Sequence, residues 1–396
     1  MNVTVVGGGP AGLYFALLAR RLAPAWAITV LERDGPDDTF GWGIVLSART
    51  VEMLREHDGP IHAAIAAAAE RWDSVDTVHR GQRVSVRGNG FCGIERLALL
   101  RILRARCREV GVDLRFRAPV TDPAELARAD LLVGADGAGS AVRQAWSHFF
   151  QPSVELRQNR YAWLGTTAGF DGLTMIFRES PAGLFIAHAY RFSPTHGTFI
   201  VECPPETWTR AGLDRMGGDE ACEYLAGIFA EDLDGRPLAA RGALRWQNFP
   251  LVRNRRWTHD HVALVGDAAH TAHFSIGSGT KLALEDAAAL ARALAAERDV
   301  PRALAAYAAA RKPVVDRFQA AAYRSLTWLE GVEQYLPLEP VPFTYRLMTR
   351  SGRVGYAQLA AGDRGFAAAY DEWRRRQPAE ASPIPAAFLD LSLIHI

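Results

Sequence analysis

Hydrophobic residues along this chain change their period several times, and the changes mark its elements. Alternation by two predicts half-buried strands, and recurrence every three to four residues predicts amphipathic helices. The chain opens with an apolar β-branched run (Val3, Val5, Val6), passes through helical apolar spacing and returns to a second strand, Ile28 to Leu31. Residues 59–71 read as an Ala-rich helix, and Arg83 to Arg87 as a short strand. Ile94 to Val110 has helical spacing (Leu97, Leu100, Leu103, Cys107), followed by strands at Val112 to Phe116 and Leu131 to Gly134. From about 154 to 204 the runs YAWLGTT, LTMIFR, GLFIAHAYRF and GTFIVEC alternate and are rich in aromatics. They predict consecutive antiparallel strands of a separate sheet. Helix is expected over 218–232 and a strand over 241–250, with a buried strand from Val262 to Val265. Further helices are expected at about 280–297, 301–330 and 354–376.

A βαβ pattern that is interrupted by an antiparallel sheet and then resumed is an α/β nucleotide-binding domain with an inserted substrate domain. Residues 1–75, 93–153 and 257–300 are assigned to the Rossmann-like domain and 154–256 to the inserted antiparallel sheet, with 76–92 an excursion into that sheet. Residues 301–377 supply C-terminal helices, and the Pro/Ala-rich stretch 378–396 is expected to be a flexible tail.

The chemistry is most legible at the first turn. Gly7-x-Gly9-x-x-Gly12 follows the first strand and opens the helix, and Glu32 ends the second strand. Gly7 permits the tight turn, and Gly9 lets backbone approach a pyrophosphate at the positive helix end. Gly12 lets the helix pack closely on the strand. A carboxylate at Glu32 accepts from ribose hydroxyls and repels a 2′-phosphate. The held nucleotide is therefore the adenosine half of FAD or NAD, not of NADP.

Composition narrows the class further. With 45 basic and 44 acidic residues among 396, the net charge of +1 argues against nucleic acid or anionic membrane as partners. The four cysteines (Cys92, Cys107, Cys203, Cys222) lack metal-ligand spacing. No metal is expected, and the thiols read as reduced and buried. The first core strand occupies the N-terminus and no apolar run reaches a membrane span. A cytoplasmic protein, monomeric or homodimeric, is expected.

Two later segments sharpen the expectation. LLVGADGAGSAVR places Asp136 and Gly137 at a strand end, with Ser140 and Arg143 beyond. VALVGDAAHTAHFSIGSGTKLALEDAAAL places Asp267 after a strand, His270 behind it, and Gly277 and Gly279 before a helix. Together with the first turn, these segments resemble the single-component FAD-dependent aromatic hydroxylases, the para-hydroxybenzoate hydroxylase-like group. FGWGIVLS, FIAHAYRF, TFIVEC and AHFSIGSGTK narrow the likeness to the salicyloyl-CoA and aminobenzoyl-CoA hydroxylases and the violacein-pathway indole hydroxylase. A Pro-Pro pair usual before the last glycine turn is His273-Phe274 here, and the usual Asn is Lys281.

The resemblance implies a Rossmann-like FAD-binding domain with tightly but noncovalently held FAD. It implies NADH or NADPH as a transient co-substrate, O₂, and hydroxylation of an electron-rich ring, free or as a CoA thioester, through a flavin C4a-hydroperoxide. It assigns Gly7, Gly9, Ala11, Gly12, Glu32, Arg33, Arg96, Asp136, Asp267, Gly277, Gly279, Thr280 and Lys281 to the cofactor. Trp163, Phe185, His188, Tyr190, Trp246, His273, Phe274 and Ser275 are candidates for the substrate pocket. His188 and His273 are candidate bases, with Tyr190 as a proton relay. Alternatives stand beside these: Asp136 as a helix cap, Arg143 as a surface residue, His270 as a structural histidine, and Trp163, Phe185 and Trp246 as sheet packing. Two rival functions also remain: a flavin oxidase needing no NAD(P)H, and a non-catalytic flavoprotein that sequesters an aromatic ligand.

Overall fold

The computed structural model describes residues 1–126 and 128–377; the expected tail 378–396 lies outside the described residues. Three sheets organise them. The first runs, in spatial order, Thr258–His259, Val262–Leu264, Leu131–Gly134, Asn2–Val6, Ala27–Leu31 and Asp113–Arg115. Its strands are parallel except for the Thr258–His259 hairpin edge. The central strands Leu131–Gly134 and Val262–Leu264, buried on both faces, are apolar throughout, as central parallel strands tend to be. Helix Pro10–Leu22 has Pro10 preset for its first turn, and it packs along helix Gly279–Ala296. Val5, Leu17, Val133, Leu264, Leu284 and Leu290 are fully buried there, each worth about 1.5–3 kcal/mol of transfer free energy.

The second sheet has eight strands. Leu238–Ala240, Pro152–Thr166, Gly197–Cys203, Gly183–Arg191, Leu173–Ser180, Val75–His79 and Gln82–Val86 lie side by side. Gln247–Asn254 pairs separately with Pro152–Thr166. Register decides which side chains share a face. Tyr161 lies opposite Glu202, Trp163 opposite Ile200, and His188 opposite Ile200 on its other side. Phe185, Ala187, Ala189, Phe199 and Val201 point the other way, into a core closed by Leu213, Leu225, Phe229 and Leu233. On the first face, Leu184 and Ile186 meet Leu329, Phe343 and Leu347 of the C-terminal helices. A small third sheet pairs Gly43–Ser47 and Glu70–Trp72 with Phe91–Glu95.

Several boundaries differ from the sequence expectation. The 59–71 helix stops at Ala68, and Glu70–Trp72 is a strand. Residues 91–95 form a strand and the next helix begins only at Arg96, because short apolar runs do not separate the two periods. The strand expected over 241–250 is instead Leu238–Ala240 and Gln247–Asn254 with irregular chain between them. The last helical stretch breaks at Asp363, whose carboxylate accepts from Phe366 N–H at 2.9 Å and caps a new helix. Among the described residues no helix is long and apolar enough to cross a membrane. All four cysteines are buried free thiols.

Candidate active site

Three turns converge at the C-terminal ends of the parallel strands. Gly7 has φ +108°, and a Cβ on it would lie 2.3 Å from the Ala135 carbonyl oxygen. A Cβ on Gly12 would lie 2.1 Å from the Gly7 oxygen, so helix and turn touch through backbone alone. At Gly9 a Cβ would meet nothing within 4 Å. Gly9 caps the helix with no side-chain hydrogen bond, leaving its N–H end open toward that side. Ala11 is buried and packs toward Gly266. Glu32 accepts from Gly8 N–H at 2.6 Å and Asp34 N–H at 2.9 Å. Each oxygen retains acceptor capacity for a ribose hydroxyl. Arg33 departs from the expectation: it is exposed, pairs with Asp34 at 3.5 Å, and forms no wall of this cradle.

Asp136 spends both oxygens on its own turn, accepting from Ser140 Oγ at 2.5 Å and Val142 N–H at 3.1 Å. It thereby supports the first turn of the short helix Ala141–Ala145, which Ser140 caps by accepting from Arg143 N–H at 2.9 Å. Arg143, a surface candidate on sequence, is buried and donates to the carbonyls of Ala138 and, at 3.1 Å, Ala268. It thereby ties the Asp136 turn to the Asp267 turn. Behind the latter, buried Asp286 accepts from Gly266 N–H at 3.3 Å, Arg311 Nε at 2.8 Å and His270 Nε2 at 2.6 Å. Burial opposes its ionisation, but His270 and Arg311 hold it below the ordinary carboxylate range. His270 stacks on Trp257 and is a structural histidine.

Asp267 is accessible to solvent, yet the surrounding walls desolvate it enough to raise it above the ordinary carboxylate range, against the pull of His270 and Arg96. Burial lowers the Arg96 guanidinium, with Asp267 and Tyr190 opposing, and its Nε donates to Thr39 Oγ1 at 3.2 Å. Gly277 (φ +61°) is exposed and Ser278 caps the next helix with no side-chain bond, so a second helix N-terminus is open. Gly279 and Thr280 form its first turn. Lys281 does not join it, contrary to expectation. Its ammonium pairs with Glu285 at 2.5 Å and lies 4.6 Å from the Phe318 ring. The i, i+4 partner on its own helix neutralises it.

A cradle with two open helix ends, Glu32 at one extremity and an accessible Asp267 in between suits a dinucleotide. Glu32→Ala and Asp267→Ala should each weaken FAD by about 1–3 kcal/mol, the worth of a charge-assisted hydrogen bond. Titration of apoprotein with FAD, followed by flavin fluorescence, checks this.

Beside the second helix end, the sheet face meets the segment His273–Ile276. His188 lies 5.1 Å from the Phe274 ring, edge to face, and His273 lies 4.1 Å from it. Tyr161 and Phe249 close the aromatic wall. His188 Nε2 meets Glu202 Oε2 at 3.1 Å, and Asn159 Nδ2 donates to Glu202 Oε1 at 2.8 Å. Burial resists ionisation of Glu202, yet the His188 bond and nearby His273 hold it below the ordinary range. A carboxylate only accepts, so His188 donates to Glu202 from Nε2, which leaves Nδ1 as the ring nitrogen not engaged by that pair.

His273 is different. Its Nδ1 faces Ser275 Oγ at 2.8 Å and Ser275 N–H at 3.4 Å, and an N–H can only donate. Burial pushes this imidazole down to about 3, against the influence of Glu202. His273 is thus neutral with its proton at Nε2, a donor. The expectation that it could serve as a base is corrected. A histidine below its unfolded value of 6.5 stabilises the fold above that pH and loses the contribution as pH falls toward 3. His273→Gln should therefore flatten the acid loss of stability between pH 6.5 and 4.5, measured by urea unfolding.

Three further candidates are corrected. Tyr190 donates its hydroxyl to the Gly43 carbonyl at 2.7 Å, and burial drives its ionisation far out of range. Thr198 Oγ1 accepts from Gly43 N–H at 2.8 Å. The pair clamps strand Gly43–Ser47 to the sheet, so Tyr190 relays no proton. Phe185 faces the opposite side of the sheet from His188, because strand side chains alternate. Trp246 packs against Trp208 and that same remote core. Trp163 does share the His188 face but abuts Phe40 and Gly41 at its far end. Sequence reasoning points to neither Glu202 nor Asn159. Only Glu202 carried a signal, as a lone acid within the apolar strand GTFIVEC.

The FAD binding domain family matches residues 1–322. The chain is 40% identical to salicyloyl-CoA 5-hydroxylase from Streptomyces sp over 98% of its length and 76% of that relative. It is 36% identical to protodeoxyviolaceinate monooxygenase from Chromobacterium violaceum over 87% of its length and 92% of that relative. Among solved structures, tetrameric 2-methyl-3-hydroxypyridine-5-carboxylic acid oxygenase shares the fold with a TM-score of 0.69 at 20% identity, over 88% of this chain and 95% of its own.

Proposed function

The chain belongs to the FAD binding domain family, and from that premise we propose that it is an FAD-dependent monooxygenase. It hydroxylates an electron-rich aromatic ring with NAD(P)H and O₂. The observation that carries this reading is the Glu202–His188 pair facing Phe274 beside the Gly277–Gly279 helix opening. The Gly7–Gly12 turn, Glu32, Arg96, Asp267 and the Gly277–Thr280 turn would hold FAD, which when bound would supply hydride acceptance and oxygen activation.

The remaining work falls to side chains. Glu202 holds the His188 proton at Nε2, so Nδ1 is the acceptor for a phenol or aniline proton, and losing that proton makes the ring a better nucleophile. The aromatic wall of Tyr161, Phe249 and Phe274 excludes water and aligns the ring. Asp136 and Arg143 position the turns without touching the chemistry. An aryl-CoA thioester is the substrate class favoured here, by likeness to the salicyloyl-CoA relative across 98% of this chain.

Stopped-flow reduction of the bound flavin by NAD(P)H, with and without salicyloyl-CoA, tests the proposal. Flavin reduction accelerated by the ligand, with product formed on admitting oxygen, supports it. Indifference of both steps to aryl-CoA thioesters and indoles refutes it.

A further inference from the structure

The hydrogen bonds behind His273 continue into the C-terminal helices, and their direction is fixed from the far end. Arg350 follows helix Pro340–Thr349; its guanidinium donates to the Leu347 carbonyl, to the Ser275 carbonyl at 2.6 Å, and through Nε to Ser325 Oγ at 2.8 Å. Ser325 Oγ lies 2.8 Å from Ser275 Oγ, which lies 2.8 Å from His273 Nδ1. Either serine could donate or accept, but a guanidinium has donors only. Ser325 Oγ accepts from Arg350, and among the described residues Ser275 Oγ is the acceptor left for its own proton; Ser275 then has His273 Nδ1 as the acceptor for its own. Ser325 is fully enclosed, and Ser275 and His273 are buried, so bulk water does not scramble the order.

We infer that Arg350 is a positioning residue: acting through Ser325 and Ser275, it adds to the long Ser275 N–H contact at 3.4 Å in locking His273 as an Nε2–H donor that reads an acceptor on the aromatic substrate. The inference rests on the aromatic hydroxylase reading above. It also deepens it, because two histidines of opposite polarity then flank Phe274. His188 offers an acceptor at Nδ1 and His273 a donor at Nε2. Their complement is a ring carrying a hydroxyl or amino group next to a carbonyl, the ortho-substituted aroyl pattern. Burial lowers Arg350 itself to about 10, with Glu202 pulling it back up. It remains a cation at neutral pH, and its charge further discourages protonation of His273.

The test uses holoenzyme labelled with ¹⁵N-histidine. The His273 signals are assigned by their loss in His273→Gln, and their shifts report the tautomer. The wild type should show a single Nε2–H form. Arg350→Met and Ser325→Ala should each give a mixed tautomer and a roughly tenfold fall in product per NAD(P)H, the worth of one oriented hydrogen bond. Arg350→Lys, which still only donates, should restore both readouts. Affinity separates orientation from general damage. Arg350→Met should weaken salicyloyl-CoA about tenfold, yet leave the S-(2-hydroxybenzyl) analogue, which lacks the carbonyl, unchanged. Should Arg350→Met fail to fold, Ser325→Ala decides alone. A single Nε2–H tautomer persisting in the variants, or no rescue by lysine, overturns the inference. Failure of wild type to bind either probe overturns the aroyl-thioester reading instead, and the tautomer result still judges Arg350.

Discussion

His188→Gln is expected to give a folded, yellow enzyme that still oxidises NAD(P)H but forms about 10²–10⁴ less hydroxylated product, the usual worth of a general base. The amide preserves volume, and its N–H₂ still reaches Glu202, so sheet and aromatic wall should survive. What it lacks is an imidazole lone pair where Nδ1 stood. Activated oxygen should then be lost as hydrogen peroxide, whose yield per NAD(P)H should rise as product falls. Product by chromatography and peroxide by a coupled assay check both halves. Unchanged coupling would mean that the substrate or a water molecule manages the proton, and that His188 only packs.

Glu202→Gln should cost nearly as much without touching the imidazole. Glu202 is 1% exposed and receives two donors, His188 Nε2 and Asn159 Nδ2. Glutamine has one acceptor oxygen. When that oxygen serves Asn159, the amide N–H₂ faces His188 and drives its proton from Nε2 to Nδ1. The nitrogen that should accept would then donate. A histidine held in the wrong tautomer loses its function as a base, so product should again fall by about 10²–10⁴. Since the two residues act as one unit, the double variant should be about as impaired as either single one. Steady-state rates of the three variants, at equal FAD content, test this. Multiplicative losses would show that the pair does not work together.

The nucleotide half of this molecule was legible because its chemistry is local. Gly7, Gly9, Gly12 and Glu32 lie within 33 residues and need only strand, turn, helix and strand to meet. The pocket half was partly legible. His188, Phe274 and Ser275 do gather around His273, but alternation alone could have set Phe185 on the opposite face. Lys281 likewise had Glu285 four residues ahead, the spacing of a helical ion pair. Trp246 belongs to a stretch whose apolar pattern imitates a strand where the chain is irregular. Arg350 and Ser325 had no local signature. They reach His273 only because the C-terminal helices pack on the sheet face through Leu329, Phe343 and Leu347. Hydrogen-bond polarity across 75 residues of sequence, as between Arg350 and Ser275, is a tertiary property. The role of His273 could not be separated from that of His188 until the partners of each nitrogen were known.

The proposed reaction inserts one atom of dioxygen into an aromatic ring. Turnover of salicyloyl-CoA by the FAD-loaded protein with NAD(P)H under ¹⁸O₂, read by mass spectrometry, tests it most directly. A ring-hydroxylated product carrying a single ¹⁸O atom, formed in proportion to NAD(P)H consumed, is the expected result. Product oxygen derived from water, or NAD(P)H oxidation yielding hydrogen peroxide alone with this and every other aromatic ligand tried, would contradict it.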